Sequence, residues 1–130
     1  MRANADPDRI KFVLTSAFLG RFCLSGEIFD LNDEQWQTAK DAIAFYGKVK
    51  YIIKDGFTKV INTNVKDYLK PKGYQIVLRI LGDEALLIVH TFENGANPPV
   101  GKYLDGWKLT EAFGSELDGD FRGKVFFLSH

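Results

Sequence analysis

Apolar residues recur at helical spacing through the first 56 positions and then alternate, or run unbroken, to the end of the chain. The change of period near Gly56 predicts a helical first part and a β-rich second part. Asp6-Pro7 reads as an N-cap followed by a proline whose missing N–H costs nothing in the first helical position. From there Ile10, Val13, Leu14, Ala17 and Phe18 form an apolar stripe, while Phe12 and Leu19 fall off it. Such a helix has little polar face and wants cover on most sides. Gly20 closes it, and the short apolar run Arg21 to Ser25, ending at Gly26-Glu27, predicts a buried strand. Asn32 followed by Gln35 three residues on, with Leu31 placed to pack on Trp36, combines a capping box with a hydrophobic staple. The helix it opens takes Trp36, Ala39, Ile43, Tyr46, Val49 or Lys50, and Ile53 as its inner stripe and stops at Gly56. Acids in its first turn and lysines in its last suit the helix dipole.

Beyond Gly56 the pattern predicts strands. Residues 57–65 read as edge strand, and Tyr74 to Leu81 and Ala85 to Phe92 read as a hairpin joined through Gly82-Asp83 in a II′-type turn. Leu86, Ile88, His90 and Phe92 share one face of the second strand, and Leu87, Val89 and Thr91 the other. Apolar groups on both faces imply a central strand in a covered sheet. A loop over Asn94 to Gly101 follows, then strands over Gly106 to Phe113 and Gly123 to Leu128 about a polar turn. The predicted fold class is therefore α+β. Two N-terminal helices flanking a short strand, residues 1–56, look like the last α-β-α unit of a (β/α)8 barrel, and residues 57–130 form an antiparallel β-sandwich packed with them as one unit.

Composition narrows the class of function. At 130 residues the chain is the size of one domain, too short for a complete barrel enzyme, and its 45% apolar content supports an ordinary core. Seventeen basic and seventeen acidic residues balance overall. A nucleic-acid binder or membrane-surface helix would carry a basic face, so neither partner is expected. The longest uncharged run, Phe12 to Gly20, is about half of the roughly 20 residues a membrane span requires. No apolar signal core precedes it, and the lone Cys23 excludes an intrachain disulfide. A cytoplasmic location is the simplest expectation.

Candidate chemistry is sparse. Cys23, His90 and His130 share no metal-ligand spacing, so no metal and no cofactor is expected. His90 has no Ser or Cys partner nearby in sequence and reads as a core histidine. The paired acids Asp33-Glu34, Asp83-Glu84 and Asp118/Asp120 suit a helix start, a hairpin and a turn. Glu27 alone follows an apolar strand and a glycine, where barrel enzymes place pocket residues, although solvent exposure or helix capping is its plainer use. Trp107, Tyr103 and Tyr68, with Tyr74, are the aromatics that could stack on a sugar, core packing being the default for each.

Several stretches together resemble one family. FVLTSAFLGRFCLSGEI (residues 12–28) and LNDEQW (residues 31–36) resemble the end of the catalytic barrel in α-galactosidase-like glycoside hydrolases, the melibiase group of families 27 and 36. GYQ (residues 73–75), EALLIVHTFE (residues 84–93) and GDFRG (residues 119–123) resemble that group's C-terminal β-sandwich, and the order of the matches follows the chain. The resemblance implies a C-terminal fragment of a retaining α-galactosidase. In that group the two catalytic aspartates lie on earlier barrel strands, so none is carried over and the isolated chain is expected to be inactive. Its partners would then be the catalytic barrel, or a second copy through the N-terminal helices, with galactosides as the ligand class. The alternative is a free-standing carbohydrate-binding or protein-interaction module using Trp107, Tyr103 or Tyr68.

Overall fold

The computed structural model describes residues 7–19, 32–65 and 72–130. The predicted strand at 21–25, Cys23, Glu27, Leu31 and Tyr68 lie outside the described residues. Helix α1 spans Pro7–Ser16 and continues as a 3₁₀ turn over Ala17–Leu19, and α2 spans Asp33–Asp55. Five strands follow: β1 (Phe57–Thr63), β2 (Tyr74–Leu81), β3 (Glu84–Thr91), β4 (Lys108–Gly114) and β5 (Gly123–Ser129), with the short helix α3 (Gly101–Leu104) before β4.

The start of α2 follows its sequence signature. Gln35 N–H donates to Asn32 Oδ1 at 2.8 Å, and Asn32 N–H donates to Gln35 Oε1 at 2.9 Å. Both donors would otherwise be orphaned at the helix start. Asn32→Ala should therefore cost about 1 kcal/mol in a urea unfolding curve, whereas Asn32→Ser should be near neutral. At the other end Arg79, reaching up from β2, donates Nε–H to the carbonyls of Ile52 and Ile53 at 3.2 and 3.0 Å. A cation is thus set against the negative end of the helix.

The inner stripe of α2 is Gln35, Ala39, Ala42, Phe45, Val49 and Ile52, rotated from the predicted one. Ile43, expected inside, is 45% exposed. The two stripes begin one position apart, and α1 decides between them: Ile10 and Leu14 pack on Ala42, whose small side chain lets the helices approach closely. Val13 leaves the predicted stripe of α1 for the same reason, and Thr15 takes an inner place.

All strand pairs are antiparallel, in the order β1-β2-β3-β5-β4, so β3 is central as its two apolar faces imply. Gly82, at φ +59°, opens the two-residue turn between β2 and β3, a conformation glycine takes without strain. The predicted sandwich is corrected, since the described strands form a single sheet. Helices stand where a second sheet was expected. Phe18, Phe45, Val49 and Ile52 pack on Val77, Leu86, Ile88 and Val125 to make one core. The opposite face, Ile76, Leu78, Ala85, Leu87, Val89 and Leu128, is covered by Val100, Tyr103, Leu104, Trp107 and Leu117 from the connections around β4. Strand alternation specifies two covered faces, but not whether helix, sheet or loop covers them.

Both edge strands are irregular. The register of β1 shifts between Thr58 and Val60, beside Lys59, and that of β4 between Leu109 and Glu111. A bulge and a lysine twist and charge an edge that would otherwise template another strand.

Candidate functional site

A cluster of polar and aromatic groups lies where α1 crosses the ends of β3 and β5. Gly123 makes that crossing possible: a Cβ built there would meet Thr15 Oγ1 at 2.6 Å and Phe12 Cα at 3.0 Å. At the start of α1, Asp8 takes a hydrogen bond from Ser115 Oγ at 2.6 Å and an ion pair from Arg122 Nη1 at 3.1 Å. Asp118 adds a longer, exposed contact to the same guanidinium at 3.7 Å, worth little in water. Buried Thr91 organises the turn that carries these groups. Its hydroxyl donates to the Gly119 carbonyl at 2.7 Å and accepts from Arg122 N–H at 2.8 Å. Within that turn Phe121 has φ +53°, unusual for a residue with a side chain, and the Arg9 guanidinium lies 4.5 Å from its ring centroid. A cavity of about 200 Å³ is lined by Asp8, Arg9, Asp120, Phe121 and Arg122.

At the end of α1, Ser16 Oγ lies 3.1 Å from His90 Nε2. The imidazole is only 3% exposed and is boxed by Phe12, edge-on at 5.1 Å, and by Phe92. Burial pushes the His90 pKa from 6.5 down to about 4, against a smaller upward pull from a hydrogen bond to the Phe12 backbone. The ring is therefore neutral at pH 7. A serine beside a neutral histidine suggests a nucleophile and its base, but two further requirements are unmet. No carboxylate among the described side chains pairs with His90. Ser16 also ends a helix, where the surrounding partial charge is negative and opposes an oxyanion. The pair is a packing and hydrogen-bonding contact. It joins residues 74 positions apart, so no local signal could have announced it.

A cleft of about 530 Å³ runs between α1, α2 and β4, lined by Lys11, Asp41, Lys48 and Glu111 and by Phe45 and Phe113. Lys48 Nζ and Glu111 span it at 3.2 Å. Among the described residues no group of three His, Cys, Asp or Glu side chains is arranged to hold a metal ion. No helix among them is long and apolar enough to cross a membrane.

The sequence-predicted aromatics fall elsewhere. Trp107 is half-buried against the sheet face opposite the helices, and its ring lies 3.9 Å from that of His130. Tyr103 packs in the same cluster and accepts a hydrogen bond from Asn62 Nδ2 at 2.9 Å, with Lys102 Nζ over its ring. Tyr74 packs there too, whereas Tyr68 and Glu27 lie outside the described residues. The acids resolve as expected into a helix start (Asp33, Glu34), a hairpin (Asp83) and the turn before β5 (Asp118, Asp120). Compared with family models, with curated proteins and with solved structures, the chain matches none.

Proposed function

We propose that this chain is the closing helical corner and C-terminal β-domain of an α-galactosidase-like glycoside hydrolase, and that its role is to buttress a catalytic barrel rather than to carry out the reaction. One observation carries the reading: apolar residues stand exposed on the otherwise polar outer side of the helical layer. Its inner side is sealed on the sheet, and its outer side still presents Val13, Leu19 and Ile43, exposed by 38%, 45% and 45%. A further layer packed on the helices would bury these positions. On this reading α1 and α2 belong to the closing helical corner of the barrel, and the outward residues face its remainder. The engagement of Trp107 with His130, and of Tyr103 with Asn62, favours this role over a sugar-stacking module.

The isolated chain should give no turnover of a chromogenic α-galactoside. It should also self-associate in light scattering and bind a hydrophobic dye, both diminished by Val13→Lys with Ile43→Lys. Turnover above background that Glu27→Ala abolishes would overturn the proposal. So would a clean monomer without dye-accessible surface.

A further inference from the structure

His90 is the one buried ionisable side chain among the described residues that has no charged partner. It sits under the last turn of α1, with Phe12 and Ser16 of that helix above it and Phe92 beside it. Beneath it, β2 and β5 offer Gln75 and Gly123 as register partners, neither of them ionisable. The charged groups of the neighbourhood are committed elsewhere. Arg9 lies over Phe12 and Phe121, Asp8 is taken by Ser115 and Arg122, and Asp120 accepts from the Asn94 backbone. Lys11 lines the cleft on the other side of α1, and Asp118 is exposed. A proton added to His90 would therefore place a buried cation among aromatic rings with no described carboxylate beside it. The element that can yield is α1. Strand β3 is bonded on both sides and central in the sheet, whereas α1 is held through side chains: Asp8 on Ser115 and Arg122, Ser16 and the Phe12 carbonyl on the His90 ring, Arg9 and Phe12 on the rings beside them, and Ile10, Leu14 and Thr15 by burial.

We infer that α1 is an acid-released clasp: protonation of His90 lifts α1 from the sheet, which stays folded, and uncovers the rings of Phe12, Phe92 and Phe121. The sign follows from burial. Because the docked imidazole titrates near 4 rather than 6.5, docking is strongest above pH 6.5 and weakens as the pH falls from there toward 4. One proton is involved, so α1 protection should fall about tenfold per pH unit across that window.

The test is amide hydrogen exchange on the full chain, resolved by residue with NMR and corrected for intrinsic rates, from about pH 7 to about pH 4.5. Expected is a loss of protection in residues 10–16 while β3 and β5 amides keep theirs, and a protonation of the His90 ring that tracks the loss. His90→Gln and His90→Phe should each make α1 protection independent of pH, and either variant that folds suffices. Sheet amides losing protection in step with α1 would overturn the inference. So would the same pH profile in a variant as in the parent, or a ring that titrates while α1 stays protected.

Discussion

Gly123→Val is expected to destabilise the domain by about 3 kcal/mol, at the top of the range for forced overpacking, and Gly123→Ala by about half of that. The reason is a backbone-to-helix approach with no slack. A Cβ at this position meets Thr15 Cβ at 2.8 Å and Phe12 Cα at 3.0 Å. The second of these is main chain and cannot rotate away. Helix α1 would have to rise, taking Ile10 and Leu14 off Ala42 and stretching the contacts of Asp8 and Ser16. Urea unfolding curves give the measure, and Thr15→Ala should recover part of the loss in Gly123→Ala, since it removes the hydroxyl that lies nearest to the new methyl. Strict additivity of the two substitutions would mean that the crossing is not the source of the cost.

Phe18→Ala should cost about 3–5 kcal/mol, the usual range for emptying a buried aromatic site. Phe18 is fully buried and touches both layers. Its ring stacks on Phe113 at 6.2 Å and packs obliquely on Phe45 and Tyr46 at 5.5 and 5.6 Å. Phe113 and Phe45 are themselves stacked, so the lost ring leaves a gap with rigid aromatic walls that relax poorly. A fall in Tm of roughly 10 °C or more would accompany it. Phe18→Leu, which refills most of the volume, should cost less than half as much. A loss below about 1 kcal/mol for the alanine variant would show that the cluster collapses freely or contributes little to the core.

Much of the fold was legible because its signals are local. The capping box of Asn32 and Gln35, the glycine turn at Gly82, the two-faced apolar run of β3 and the limits of β2 each depend on neighbours a few residues away. The stripe of α2 was misplaced by one position because two adjacent stripes both carry apolar residues, and Ala42 joins the core only through its fit to Ile10 and Leu14. Helix α3, a single turn, has too little periodicity to be seen. The candidate site was the least legible part. Ser16 with His90, and Asp8 with Arg122 and Ser115, join residues far apart in the chain, and each side chain has an ordinary use where it stands.

By itself the sequence determined the kinds of element and their order: a helical first part, a switch at Gly56, and antiparallel strands with a central β3. Periodicity and caps are properties of single segments, so they survive without knowledge of the whole. Tertiary structure alone decided what covers the sheet, which stripe of α2 turns inward, and which polar groups meet at the end of α1. These are choices between partners of similar hydrophobicity, and only shape and distance separate them. His90 shows the difference: its place on a buried strand follows from alternation, but its isolation from any described countercharge follows from how α1 lies across Gly123.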